Sequence, residues 1–291
     1  MMNKFPYISA VKAQELILRA NEVTSTKNGI ASHAYIVDEY AVLKSSSIKL
    51  RNVITYDENL EFFDELINSL MKLHQQGVGV IPILGYCYDP DSHDGDGYII
   101  EPAAKGRELY DDAIMKSLYI WGQSSDSFYL STTEDSHKYL YSRITEISEI
   151  PQVHFDKFIH DIIAIYEQDI LIDFFGRSNF FYDTEEGFQF IDLNSHIDYH
   201  YGLTKAKTST DSFVATFGFT PCHYASNTAI LQNIALHDDA LSIFSSEEIT
   251  QISECNRIVF EKCRNALLNN GISETRIDTV LQKLKIFGIT G

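Results

Sequence analysis

The chain is poor in cysteine, and its cysteines are not spaced for a metal site or a disulfide framework. Four occur in 291 residues, at Cys87, Cys222, Cys255 and Cys263, and no two of them form a C-x-x-C pair. This spacing does not indicate a zinc site, and it favours free thiols in a reducing compartment.

Basic residues are also scarce. The sequence has 23 Lys and Arg against 41 Asp and Glu, which gives a formal net charge of −18. Because phosphate groups would be repelled by such a surface, we expect neither nucleic acid nor an anionic membrane as a partner. The negative charge is compatible with a cationic substrate or a basic protein surface as a partner.

Long apolar runs are absent from the sequence. No stretch is long enough to span a bilayer, and the N-terminal residues have charges scattered through their apolar positions instead of a signal-peptide core. The sequence therefore predicts a soluble, cytoplasmic protein. A bacterial effector secreted by an unconventional signal would have the same features.

The apolar pattern that is present divides the chain into a strand-rich first third and a helical remainder. It predicts a hairpin over 33–44, one or two strands over 78–86 and helices over 11–20 and 57–76 in the first part. An amphipathic helix over 154–169 and two helices beyond residue 245 follow in the second part, and Ser245 and Glu248 fit a capping box for the first of these two. We predict an α+β fold, with residues 1–101 as a β-rich lobe and 102–291 as a helical lobe.

The most informative stretch is "DILIDFFGRSNFFYDTEEGFQFIDLN", residues 169–194. Two apolar runs end in Asp173 and Asp192, and Asn179 lies between them. The stretch predicts a hairpin that closes on Gly187 and brings Asn179 and Asp192 to the same end. Carboxylate and amide oxygens are ligands that suit Mg²⁺, so a magnesium site is predicted there.

Upstream of this stretch, Lys44 ends the predicted strand "YAVLK", and an acidic helix follows it. The features along the chain are, in turn, a strand lysine, an acidic helix, "YIIEP", an amphipathic helix, an Asp…Asn pair, a hairpin and a second Asp. The order of these features resembles that of the protein kinase-like superfamily. That superfamily includes bacterial minimal Ser/Thr kinases and aminoglycoside phosphotransferases. The resemblance implies a bilobal fold with ATP and Mg²⁺ as cofactors. It also implies transfer of the γ-phosphoryl group to a hydroxyl on a protein or a small molecule.

The resemblance assigns roles in the first lobe. Lys44 would hold the ATP phosphates, and Glu65, with Glu61 as the alternative, would form an ion pair with it. Backbone groups around Glu101 and Ala103 would meet adenine. A reduced glycine-rich loop, "KNGIASHAY", would bring Ser32 or nearby amides to the phosphates.

In the second lobe the resemblance makes Asp173 the catalytic aspartate and makes Asn179 and Asp192 the metal ligands. Five residues separate Asp173 from Asn179, where the family usually has four. Leu193 and Asn194 stand where the family has Phe-Gly.

Three functions remain open at this point. The first is a Ser/Thr protein kinase-like phosphotransferase, and the second is a small-molecule kinase, which shares every motif and differs in its acceptor pocket. The third is a pseudokinase that acts as a binding module. Retention of Lys44, Asp173, Asn179 and Asp192 favours activity, whereas the longer loop keeps the pseudokinase open. The alternative is that the protein has no nucleotide site. In that case Asp173 and Asp192 cap turns, and Lys44 is a solvated lysine.

Overall fold

A computed structural model gives the fold. It describes residues 7–22, 27–28, 32–45, 67–88, 97–108, 142, 145–168, 170–171, 180–191, 193–195 and 245–286. These residues form a mixed structure of helices and strands, in agreement with the predicted α+β class.

Five helices and ten strands have the following bounds among the described residues. The helices are α1 (Ala10–Glu22), α2 (described over 67–75), α3 (Gln152–Glu167), α4 (Ser246–Asn269) and α5 (Glu274–Ile286). The strands are β1 (Lys27–Asn28), β2 (Ser32–Val37), β3 (Tyr40–Ser45), β4 (Gly85–Tyr88), β5 (Gly97–Pro102), β6 (Arg107–Glu108), β7 (Ile170–Leu171), β8 (Phe180–Asp183), β9 (Gly187–Phe190) and β10 (Asn194–Ser195). A short helical segment also covers 145–149.

The first sheet has five strands in the order β1-β2-β3-β5-β4, and all its neighbouring strands are antiparallel. Its β2–β3 hairpin confirms the hairpin predicted over 33–44, with Asp38 and Glu39 as the turn. Asp38 has a φ of 56°, a left-handed conformation that aspartate tolerates better than most residues. Both carboxylate oxygens of Asp38 accept hydrogen bonds from Arg19 of α1, at 2.5 and 2.9 Å.

Helix α1 packs on one face of this sheet. The side chains that form this small core are Ala13, Leu16, Ile17 and Ala20 of α1 with Val37, Val42 and Ile100 of the strands. Because the three strand residues lie on three adjacent strands, α1 crosses the sheet and covers the end near the 38–39 turn. The helix predicted over 11–20 is confirmed.

The larger core joins helices α2, α3 and α4 to the hairpin β8–β9. Its centre is a group of aromatic rings with centroids 4.8 to 6.3 Å apart, made of Phe155, Phe158, Phe180, Phe188 and Phe190. Edge-on and tilted ring pairs of this kind stabilise a core beyond the area that they bury. Since α2 and α3 belong to one core, apolar contacts run across the predicted boundary at 101–102. The division into two lobes stays a prediction.

The predicted hairpin in the second half is confirmed. Strands β8 and β9 pair from Phe180–Phe190 to Asp183–Gly187, and Gly187 has a φ of 82°. The helix predicted over 57–76 is described from residue 67, and its earlier part lies outside the described residues. Ser245 and Glu248 form the predicted capping box at the start of α4.

One detail of the sequence prediction was wrong. Residues 78–86 were expected to form one or two strands, but the described chain there has an isolated bridge at Val80, and β4 begins only at Gly85. Pro82 has no N–H to donate, which interrupts a ladder. On α3, Ile165 is fully buried and Tyr166 is half-buried.

Candidate functional site

The candidate site is framed by the short two-stranded ladder β7–β10. Leu171 pairs with Asn194, and Ile170 pairs with Ser195, in an antiparallel register. The β8–β9 hairpin lies between these two strands in the sequence. The ladder therefore brings together the two ends of the chain segment 172–193.

The open end of the hairpin is anchored in the larger core. Phe180 and Phe190 face each other at this end, and both side chains are fully buried. Their rings meet edge-on at 5.6 Å between centroids. Phe180 and Phe190 therefore hold the two strands together at the open end of the hairpin.

Four predicted site residues, Asp173, Asn179, Asp192 and Glu65, lie outside the described residues, as does the alternative Glu61. Their roles stay predictions. The described residues that flank them are Leu171, Phe180, Leu193 and Ile67.

The strand pairing locates the backbones of Lys44 and Ser32 at one end of the first sheet. Lys44 pairs with His33 on one side and Tyr98 on the other, and Ser32 pairs with Ser45. Position 44 has the same strand parity as Val42, so the two positions belong to one face of the sheet. That is the face on which α1 packs, and Val42 has no exposed surface.

The predicted adenine-binding segment is tied to the β2–β3 turn. The N–H of Ala103 donates to the carbonyl of Glu39 at 2.8 Å, and Glu101 pairs with Ala41 with only 8% of its surface exposed. The Ala103 amide therefore already has an acceptor and is not available to adenine in this arrangement.

The chain after this segment is tied to the β8–β9 hairpin. The N–H of Lys105 donates to Oε1 of the buried Gln189 at 2.9 Å, and its ammonium pairs with Glu186, which raises the pKa of Lys105. Gly106 has a φ of 79°, and a Cβ there would lie 2.1 Å from the carbonyl oxygen of Tyr182. Only glycine fits that contact. The end of β5 and the hairpin are thus held together.

A second tie, which the sequence did not predict, joins α3 to the segment after α2. Asp161 on α3 is buried, and its Oδ2 accepts the N–H of Gly79 at 2.9 Å. One feature of the sequence could have indicated that Asp161 is buried: it is an acidic residue within the apolar stripe that runs from Phe158 through Ile162. Gly79 in turn pairs with β9, because its carbonyl accepts the N–H of Phe190 at 2.8 Å.

The described residues hold no group of three or more His, Cys, Asp or Glu side chains placed to bind a metal ion. The predicted metal ligands Asn179 and Asp192 are outside that set. Cys87, Cys255 and Cys263, the cysteines in the described part of the chain, are not joined in disulfides. Among the helices that the structure describes, none combines the length and apolar character needed to cross a membrane.

Comparison with known proteins gives little support for any family. No protein-family model and no curated protein matches the chain. A co-crystal structure of WbdD with the kinase inhibitor LY294002 aligns at 13% identity and a TM-score of 0.33, over 83% of this chain and 46% of that one. A medium-resolution structure of the bifunctional kinase-methyltransferase WbdD aligns at 12% and 0.34, over 87% and 47%. This chain spans less than half the length of those structures, and TM-scores this low do not establish a shared fold.

Proposed function

We propose that the protein is an ATP- and magnesium-dependent phosphotransferase of the protein kinase-like type, which moves the γ-phosphoryl group to an acceptor hydroxyl. The observation that supports this most is the direct pairing of Leu171 with Asn194 around the β8–β9 hairpin. This pairing limits how far apart the three residues proposed for the chemistry can lie. They are Asp173, Asn179 and Asp192.

Chain connectivity supports bringing these three residues together. Asp173 follows Leu171 by two residues, and Asp192 precedes Asn194 by two. Two extended residues span at most about 7 Å, and paired Cα atoms in an antiparallel ladder lie about 5 Å apart. The two carboxylates are therefore tethered to the same end of one ladder.

Asn179 is tethered to the same place by the hairpin. It directly precedes Phe180, whose partner Phe190 comes two residues before Asp192. An amide and a carboxylate at adjacent positions can supply oxygen ligands to one Mg²⁺. The second carboxylate, Asp173, is then left to orient or deprotonate the acceptor hydroxyl, as phosphoryl transfer requires.

In this proposal Lys44 contacts the ATP phosphates from the first sheet. It lies two residues, roughly 7 Å, beyond the buried Val42, at the strand end opposite the 38–39 turn. Arg19 ties α1 to that turn, at the end of β3 opposite Lys44. In this proposal the phosphates meet Lys44 at its own end of the strand, and adenine lies against Val42 only if α1 moves.

A binding module without turnover is the second candidate function. Two observations favour it: the Ala103 amide is already bonded to Glu39, and α1 buries Val42 and Ile100 completely. Both reduce the surface that adenine would use. A small-molecule kinase differs from the main proposal in the acceptor alone.

The first test measures nucleotide binding by the melting temperature with ATP and Mg²⁺, with ATP and EDTA, and with Mg²⁺ alone. A ligand that binds only the folded state at about a hundredfold excess over its dissociation constant stabilises that state by about 2.7 kcal/mol. We expect the largest shift with ATP and Mg²⁺ together. No shift at millimolar ATP and Mg²⁺ would rule out both nucleotide-dependent functions.

The second test uses labelled ATP with the protein alone, with cell lysate and with a panel of aminoglycosides. Label on protein supports a protein kinase, and label on an aminoglycoside supports a small-molecule kinase. No transfer to any acceptor and no ATP hydrolysis, with or without a thermal shift, supports the binding module.

A further inference from the structure

Asp161 is a buried carboxylate on α3 that the proposed chemistry does not use. Only 1% of its surface is exposed, and its oxygens contact the N–H of Gly79, the ammonium of Lys157 and, at 3.4 Å, Nδ1 of His160. Lys157 and His160 belong to the same helix as Asp161. Among the described residues, the bond to Gly79 is therefore the one that links Asp161 to another element. A buried carboxylate is costly unless such contacts satisfy it.

Gly79 fits into this contact because it has no side chain. A Cβ at this position would lie 2.2 Å from the carbonyl oxygen of Phe188 and 3.1 Å from Oδ2 of Asp161. Phe190 donates its N–H to the Gly79 carbonyl at 2.8 Å, and the N–H of Ile81 donates to the Phe190 carbonyl at 3.1 Å. The segment 79–81 is thus bonded to β9 on one side and to α3 on the other.

This junction connects the two parts of the candidate site. The segment 79–81 follows the end of α2 after three residues, and the last of these, Val78, is bonded back to the helix by its N–H, which donates to the Leu73 carbonyl at 3.0 Å. Glu65 precedes the described part of α2 by two residues. On the other side, Phe190 precedes Asp192 by two residues.

We infer that Asp161 is a positioning residue for phosphoryl transfer. By bonding Gly79, it fixes where α2 lies relative to the end of β9, and so where the predicted Lys44–Glu65 pair lies relative to the metal ligand Asp192. This inference rests on the proposed function. Errors of about 1 Å in the placement of reacting groups can slow a reaction by about 100-fold, so loss of the bond should reduce turnover.

Asp156 provides a matched control on the same helix. Its carboxylate accepts hydrogen bonds from Gln152 at 2.8 Å and from Asn269 of α4 at 3.0 Å. It therefore joins α3 to α4, away from segment 79–81. Asp156→Ala and Asp161→Ala both remove a carboxylate that links α3 to another element, and only the second removes the link to the candidate site.

The experiment measures melting temperature, kcat, and KM for ATP in the full chain, at a temperature where each variant is folded by circular dichroism. Asp161→Ala should lower kcat by at least about tenfold, with a smaller change in KM for ATP. Asp156→Ala should lower the melting temperature and leave kcat within about twofold of wild type. Asp161→Asn keeps an oxygen acceptor for Gly79 and should restore kcat to within about threefold.

The outcomes separate this inference from the proposed function. If the wild-type protein transfers no phosphate, the proposed function fails, and the inference fails with it. If the wild type is active and Asp161→Ala has the same kcat as Asp156→Ala, the inference alone is overturned. It is also overturned if Asp161→Asn is as slow as Asp161→Ala. Should Asp161→Ala not fold, Asp161→Leu replaces it, because leucine fills a similar volume and offers no acceptor.

Discussion

Leu171 on β7 faces Asn194 on β10 across an antiparallel ladder, with the β8–β9 hairpin between them in the chain. The hairpin is held in place at its open end by the buried pair Phe180 and Phe190. Its other end is tied to Lys105 through Glu186. A well-packed hairpin is a suitable support for the predicted metal ligands Asn179 and Asp192, which come directly before β8 and two residues after β9, because sites supported by regular elements keep their geometry better than sites on loops.

Asp192→Asn should remove most of the magnesium dependence of ATP binding. An amide oxygen is neutral and a weaker ligand for Mg²⁺ than a carboxylate. In the variant, the thermal shift with ATP and Mg²⁺ should fall to the shift that ATP gives with EDTA. Asp183→Asn, the same substitution at the other end of the hairpin, should keep the wild-type difference. Equal magnesium dependence in both variants would remove Asp192 from the metal site.

Lys262→Met should destabilise the protein through the junction between α4 and the segment before α3. The Lys262 ammonium donates to the carbonyls of Ser148 and Ile150 at 2.6 and 2.7 Å, and burial lowers its pKa. The variant leaves both carbonyls without this donor. Allowing for partial exposure, the cost should be about 1–2 kcal/mol, measured as a lower urea midpoint with an unchanged slope.

The control for this prediction is Arg257→Ala on the same helix. Arg257 bonds Glu254 and Glu261 on the exposed face of α4, and exposed ion pairs contribute little to stability. Its urea midpoint should stay close to that of the wild type. If the two variants lose the same stability, the Lys262 contacts with Ser148 and Ile150 are not what stabilises this junction.

Local features of the fold could be predicted from the sequence. The turn at Asp38 and Glu39 lies between two β-forming runs, and the turn before Gly187 lies between two more, so both hairpins were predictable. The cap at Ser245 was predictable because Glu248 follows at the capping-box spacing. These features depend on residues close together in the chain.

Long-range contacts could not be predicted in the same way. The bond between Asp161 and Gly79 uses a backbone donor, which leaves no signature in the sequence. The pairing of Gly79 and Phe190 is also a backbone contact between distant segments. For α1, the sequence predicted a helix, but nothing in it showed that this helix would cover Val42, two residues from the predicted ATP lysine.

Asp183→Asn should change the pH dependence of stability. The carboxylate of Asp183 accepts the N–H groups of Glu186 and Glu185, at 2.9 and 2.8 Å, and these bonds hold its pKa below the usual value. A carboxyl group with a lowered folded-state pKa stabilises the protein above its unfolded pKa, about 3.9, and loses that effect as the pH falls through the folded value.

The measurement is the melting temperature of wild type and Asp183→Asn at several pH values. The wild type should melt higher by a constant amount between roughly pH 5 and 7, and the difference should shrink below roughly pH 4. An exposed carboxylate elsewhere in the chain would affect both proteins equally, so the difference isolates Asp183. A difference that does not change with pH would mean that the negative charge at Asp183 contributes nothing.

Asp173→Asn should separate binding from turnover. In the proposed mechanism Asp173 orients or deprotonates the acceptor hydroxyl and is not a metal ligand, so the variant should bind ATP and Mg²⁺ as the wild type does. Its turnover should fall by roughly 10²- to 10⁴-fold, because an amide cannot accept the proton. The extra residue between Asp173 and Asn179 can be accommodated at Gly176, where glycine tolerates backbone angles that other residues avoid. Asp192→Asn is the comparison, since it should lose the magnesium-dependent shift as well as turnover. If Asp173→Asn keeps wild-type turnover, the acceptor base is elsewhere; if wild type and both variants bind ATP but transfer nothing, the binding module is the better description.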